Sequence, residues 1–135
     1  MKLNKEIGKN KLTKEQYEIM RKKGTEQAFT GKYLKHKENG NYYCAFCESI
    51  LFDSKTKFDS GTGWPSFSDA KKRNVILKED NSGGMKRTEV LCAKCESHLG
   101  HVFNDNFVHG NTGMRYCINS ACLNFKRKSA NFKTP

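Results

Sequence analysis

Two cysteine pairs, Cys44-Ala45-Phe46-Cys47 and Cys92-Ala93-Lys94-Cys95, are separated by 44 residues and constrain this chain more than any other feature. A CxxC turn lets both thiolates face one ion, and two such turns complete a tetrahedral shell with Zn–S distances of about 2.3 Å. One disulfide per pair, or a thioredoxin-like redox pair, are the other readings. The redox pair usually needs its CxxC ahead of a helix in a βαβ setting, which the pattern lacks. Zinc is therefore the favoured occupant, as a single ion. Four sulfurs leave no open position for a substrate, so the ion is expected to be structural, tying an early hairpin to a later one.

The chain has 135 residues, enough for one domain with a core that needs no disulfide staples. Residues 1–11 read as a basic N-terminal extension, 12–126 as the domain and 127–135 as a basic tail. Lysine and arginine total 25 against 14 acidic residues, a net charge of +11. Such an excess fits nucleic-acid binding, but scattered lysines on a solvated surface are its commoner meaning, and that reading is preferred. No apolar run reaches the length of a signal-peptide core or a membrane span, so a cytoplasmic location without a membrane partner is expected. Structural disulfides are disfavoured there. All 6 cysteines then read as metal ligands or reactive groups.

The segment Leu12 to Gly24 has a helical pattern, with Thr13 as N-cap, Gln16 three positions on, and Gly24 as the stop. Beyond Asn39-Gly40 come short apolar or alternating runs, NYYCAF, SILFDS, NVILKED, TEVLCAK, GHVFND and MRYCINS, most containing or followed by turn residues. This is the pattern of a mainly β protein with small antiparallel sheets and one to three short N-terminal helices.

Three segments carry chemistry that a zinc scaffold alone leaves unused. In MRYCINS, Arg115, Cys117 and Asn119 are spaced by two and share one face of a strand, with Tyr116 and Ile118 on the other. A cation beside a thiol favours the thiolate, and an amide there can hydrogen-bond a substrate or an oxygen. A buried cysteine with a satisfied Arg and Asn is the bland alternative. In SHLGHVFND, His98 and His101 offer a general acid near neutral pH, with Asp105 following. Either histidine is also a spare candidate for the metal. His36 and His109 read as surface residues. In FDSGTGWPSF the only tryptophan, Trp64, sits in a Gly-rich loop before Pro65. It is either a hydrophobic cap over the sheet or an aromatic wall for a small sulfur-bearing group.

Together LTKEQY, GTEQAFTGKY, the two CxxC turns, KFDSGTGWPSF, SHLGHVFND and GMRYCINS resemble the B-type methionine sulfoxide reductases, from about Leu12 to Phe125. The resemblance implies a twisted, mostly antiparallel β fold with a zinc ion distant from the active site and no organic cofactor. It implies reduction of methionine-R-sulfoxide, free or within oxidised proteins, with thioredoxin or another thiol as reductant. On this match Cys117 is the nucleophile and passes through a sulfenic acid. His98 and His101 bind and protonate the sulfoxide oxygen, Arg115 supports the thiolate, and Asn119 and Asp105 organise the polar network. Trp64, with Phe67 and Phe103, forms the substrate-binding surface. The rival from another class is a non-catalytic zinc-ribbon module that binds nucleic acid or protein through its basic surface.

The chain departs from the family pattern twice. Thr62 occupies the loop position where many relatives carry a resolving cysteine, and Asn104 to Asn111 replace a shorter turn at the substrate rim. Cys122 remains as the candidate resolving cysteine. Were residues 117 to 122 extended, the two Cα atoms would lie about 16 Å apart, against a limit of roughly 7 Å for a disulfide. The preferred expectation is that Cys122 is a packing residue and that external thiols reduce the sulfenic acid directly.

Overall fold

The computed structural model describes residues 12–106 and 113–128, and of Asp105 and Asn106 only the backbone. The expected extension 1–11, most of the basic tail and His109 lie outside the described residues. Helix α1 (Lys14–Lys22) opens with a complete capping box: the Thr13 hydroxyl accepts from Gln16 N–H, and the Gln16 side chain accepts from Thr13 N–H. A cap of this kind stabilises a helix by ~1 kcal/mol. The left-handed residue that ends the helix is Lys23 (φ 60°), not Gly24, whose N–H instead returns to the Glu18 carbonyl. Ile19 and Met20 turn inward, and the helix packs on strand β7 (His98–Asn106) and on the 3-10 turn Ser120–Cys122.

Among the described residues the strands form two antiparallel sheets. The smaller runs β2 (Ile50–Asp53), β1 (Gly40–Cys44), β9 (Leu123–Arg127). The larger runs β3 (Lys57–Phe58), β4 (Ser66–Phe67), β8 (Gly113–Ile118), β7, β6 (Arg87–Cys92), β5 (Val75–Asp80). Six of these strands match runs visible in the sequence. The two-residue strands β3 and β4 are too short to carry a periodic signal, and β9 alternates over only its first four residues, LNFK. Phe52, Phe67, Tyr42 and Tyr116 form the aromatic heart of the core, with Phe52 and Phe67 stacked at 4.3 Å. His36, expected at the surface, is instead half-buried: its Nδ1 lies 2.9 Å from the Tyr42 hydroxyl and its ring packs on Phe125.

Register in the larger sheet organises everything that follows. Glu89, His101, Cys117 and Ser66 form one cross-strand row; Thr88, Val102, Tyr116 and Phe67 form the next; Phe103 and Arg115 form the third, with Arg87 the β6 residue before Thr88. Because side chains alternate between faces, the middle row points into the core and the outer two share the opposite face. Gly100 opposes Ile118 across the β7–β8 pair, and a Cβ there would meet the Cys117 carbonyl oxygen. Gly100→Ala is expected to cost ~1–3 kcal/mol through overpacking. That should appear as a fall in Tm of roughly 3–15 °C together with loss of function, since the strand carrying Cys117 has to move.

Candidate active site and metal centre

The four cysteines of the CxxC turns converge. All four Sγ atoms lie within 4.8 Å of one another, with Cys44–Cys95 at 3.7 Å and Cys47–Cys92 at 3.5 Å. A tetrahedron of sulfurs around zinc has edges of about 3.8 Å, so the cluster fits such an ion. The two turns are built alike. Cys44 and Cys92 each accept from the N–H four residues on, of Glu48 and Glu96, and both glutamates are left-handed (φ 65° and 62°). The Cys44 N–H bonds Ser49 O and the Cys92 N–H bonds Ser97 O. Arg21 locks the second turn to the helix, donating to Cys95 O at 3.1 Å and Ser97 Oγ at 2.8 Å, with its guanidinium over the Phe46 ring. Neither His98 nor His101 belongs to the cluster.

On the outer face of the larger sheet lies a cavity of about 170 Å³. Its lining includes Cys117, Arg115, His101, Phe103, Trp64, Thr62, Asn119 and Arg87. Cys117 is half-buried at its base. Arg115 Nη1 donates to the Cys117 sulfur at 3.0 Å, and the Arg115 guanidinium also covers the Phe103 ring at 4.5 Å. The hydroxyls of Ser66 and Thr62 approach the same sulfur at 3.5 and 3.6 Å, and Ser60 links both of them. A thiolate here is met by a guanidinium and hydroxyl groups, all able to donate to it. The Trp64 ring forms a wall, fixed by Nε1–H donation to the Glu26 carbonyl at 3.0 Å.

The two histidines take different positions. His101 sits in the cavity wall, its Nε2–H directed to Asp80 Oδ2 at 2.8 Å, which leaves Nδ1 as its other ring atom. That bond, and two more from the Ser82 N–H and hydroxyl, hold the Asp80 carboxyl well below the usual carboxylate range. His98 lies behind the wall, buried, with Nδ1 at 2.6 Å from Glu89 Oε2 and the two histidine rings edge-on at 5.5 Å. Burial pushes the His98 imidazole down, against the opposing pull of Glu89. The neutral ring donates Nδ1–H to Glu89, and Nε2 has no partner among the described residues. Lys23 closes this buried group at 3.3 Å from Glu89 Oε1.

Two expected residues are placed differently. Phe67 is fully buried against Phe52 and does not reach the cavity, because it belongs to the inward row; its neighbour Ser66 faces the sulfur. Asn119 lines the cavity, but its amide is engaged on both sides: Nδ2 donates to Leu99 O and Oδ1 accepts from Glu26 N–H. Just past the end of β8, the amide ties the cavity floor to Leu99 and to the Glu26 segment. The side chain of Asp105 is outside the described residues. Cys122 is completely buried in the turn after β8, its thiol on the His98 carbonyl at 3.4 Å, and burial pushes that thiol well up.

Several residues of the site carry no individual signature of their role in the sequence. Glu26 holds the turn after β8 through Ser120 and Ala121 N–H at 2.9 and 3.0 Å, and carries Trp64 on its carbonyl. Asp80, Glu89 and Arg87 reach the site only through strand pairing. Arg87 and Glu89, spaced by two in β6, were the one clue available.

A SelR domain model matches residues 12–127. The chain is 55% identical over 121 residues to the peptide methionine sulfoxide reductase MsrB of Leptospira interrogans, covering 89% of this chain and 91% of that one. A protein of the same name from Pseudomonas putida is 56% identical over 116 residues, covering 85% and 86%. One from Methanosarcina barkeri is 55% identical over 124 residues, covering 91% and 86%.

Proposed function

The chain belongs to the SelR family of B-type methionine sulfoxide reductases and reduces methionine-R-sulfoxide; from this premise we propose that Cys117 is its nucleophile and His101 its proton donor. The observation that carries the assignment is the Arg115 Nη1 contact of 3.0 Å on a sulfur at the base of a cavity walled by Trp64 and His101. The Cys117 thiolate attacks the sulfoxide sulfur as the oxygen takes up a proton from Nδ1 of a His101 ring protonated on both nitrogens, whose Nε2–H stays on Asp80. The S–O bond is then exchanged, so that methionine leaves and Cys117 becomes a sulfenic acid. A first external thiol forms a mixed disulfide with Cys117 and releases water; a second restores the thiol. Thioredoxin or a small thiol fills this role, acting on oxidised proteins or the free amino acid, in the cytoplasm. Trp64 and Phe103 enclose the substrate's methyl and methylene groups. His98 and Glu89 brace His101 from behind. The zinc-ribbon binding module accounts for the four-cysteine cluster and leaves this cavity without a use.

The metal is one structural zinc held by Cys44, Cys47, Cys92 and Cys95, in the reductase domain of residues 12–126. Bound there, it supplies cross-linking between the two sheets and no step of the reaction. The function is tested by turnover of the separated sulfoxide epimers with dithiothreitol: the R epimer is reduced and the S epimer is left. Reduction of neither, by zinc-loaded protein, defeats the reading.

Recycling gives a second test. With Cys122 buried on His98 O and Thr62 facing Cys117, one equivalent of substrate is expected to remove a single free thiol from the protein. Thr62→Cys puts a second sulfur where the hydroxyl stands, 3.6 Å from Cys117 Sγ, and should remove two through a disulfide between the introduced thiol and Cys117. Thiol titration and mass spectrometry read the count; a Cys117–Cys122 disulfide in the unsubstituted protein would refute the packing role of Cys122.

A further inference from the structure

We propose that Arg87 is a substrate-binding residue, its guanidinium taking the α-carbonyl or α-carboxylate oxygen of the oxidised methionine whose sulfur lies at Cys117. The inference rests on the reading of Cys117 as the nucleophile. Arg87 lines the cavity from β6, two strands from Cys117, and shares that lining with Phe103, Arg115, His101 and Cys117. Its side-chain donors are unspent. Among the described residues the guanidinium makes no hydrogen bond; its nearest acidic partner is Asp80 Oδ2 at 3.7 Å, and Nε is buried without an acceptor. Asp80 is already engaged by His101 and by Ser82, so it steers the guanidinium without saturating it. The other arginine of the cavity, Arg115, is engaged with the Cys117 sulfur and the Phe103 ring.

The geometry of a methionine side chain supplies the rest. Sulfur and α-carbon are separated by three bonds, roughly 4 Å in reach, and neighbouring strands lie about 4.8 Å apart. A substrate with its sulfur over Cys117 therefore carries its main chain about one strand away. Toward β4 the way is closed by the Thr62 and Ser66 hydroxyls and by Trp64, the wall suited to the methyl group. Toward β6 the main chain comes over β7 beside Phe103, one strand short of Arg87, a gap that an arginine side chain can span. A carboxylate, in the free amino acid, and an amide carbonyl, in a peptide, both offer the oxygen that a guanidinium recognises.

Three R-sulfoxides separate binding from general damage: N-acetylmethionine sulfoxide N-methylamide, free methionine sulfoxide, and methyl propyl sulfoxide, which keeps the reacting group and lacks the carbonyl. With dithiothreitol as reductant, Arg87→Met should lower kcat/KM at least tenfold on the first two, through KM. The loss on methyl propyl sulfoxide should be at least fivefold smaller. Arg87→Lys should recover more on the free amino acid than on the amide, because a carboxylate answers to a point charge. Equal losses on all three substrates, or no loss on the two amino-acid substrates, would overturn the inference while leaving the reductase reading intact. Failure of the unsubstituted protein on all three would defeat that reading and the inference with it.

Discussion

Cys117→Ser should lose more than about three orders of magnitude in sulfoxide turnover, equivalent to ~4 kcal/mol or more of barrier, while remaining folded. The reaction needs a group that attacks sulfur and then carries the oxygen away as a reducible S–OH. A serine hydroxyl stays protonated near neutral pH and has no such oxidised form to hand to a thiol. Serine is nearly isosteric, and the site is half-buried and already ringed by the Ser66, Thr62 and Arg115 donors. The stability change should therefore stay within ~1 kcal/mol. Single-turnover formation of methionine, read beside a thermal melt, makes the check. A variant that melts like the parent and keeps a tenth of its activity would remove Cys117 from the nucleophile's place. Arg115→Met should act in the same direction but less steeply, since the hydroxyls remain.

Cys44→Ser is expected to release the metal and lower Tm by more than about 15 °C, or prevent folding at 37 °C. The expectation follows from where the two CxxC turns lie. Cys44 ends β1 in the smaller sheet, and Cys92 ends β6 in the larger one, so the four-sulfur cluster is a joint between the sheets. Binding of structural zinc contributes on the order of 10 kcal/mol in small domains. Even half of that, at this chain length, moves Tm by roughly 15 °C or more. Removing the ion also strands Cys92 and Cys95 as buried thiols beside the introduced hydroxyl and releases the turn that Arg21 grips. Metal content falling from one ion to none, with the drop in Tm, is the expected pair of readings. Retained metal, or a Tm within a few degrees of the parent, would contradict the structural role. Cys122→Ser separates this effect from general loss of thiols: that residue is buried away from the cluster, and its replacement should leave the metal bound.

The readable parts of the site were those whose partners are close along the chain. The helix cap is an example: Thr13 and Gln16 are three residues apart, and their reciprocal bonds are present as the pattern implies. CxxC spacing is set by one tight turn, so each pair of thiolates could be placed before any tertiary contact was known. The face shared by Arg115 and Cys117 follows from strand alternation alone. Alternation assigns no absolute direction, however, and so Phe67 looked as suitable as Phe103 for the substrate surface. Only the pairing of β4 with β8, Ser66 opposite Cys117, sends Phe67 inward. Asn119 shares the cavity with Arg115 and Cys117 as alternation implies, but its partners, Leu99 O and Glu26 N–H, come from distant segments that alternation does not reveal.

The sequence by itself determined the class of fold, the two matched CxxC turns and the face that Arg115 shares with Cys117, because each rests on spacings of a few residues and on the chemistry of the side chains. Register, strand order and burial were decided by the tertiary structure. These bring Asp80 and Arg87 beside His101 and Phe103, put Glu89 behind His98, and strap Glu26 across the turn after Cys117. They also separate the last two thiols, leaving Cys117 in an open cavity and Cys122 sealed against a backbone carbonyl. The physical reason is that hydrogen-bonded pairing between distant strands depends on the whole sheet closing around its core, and no local pattern carries that information.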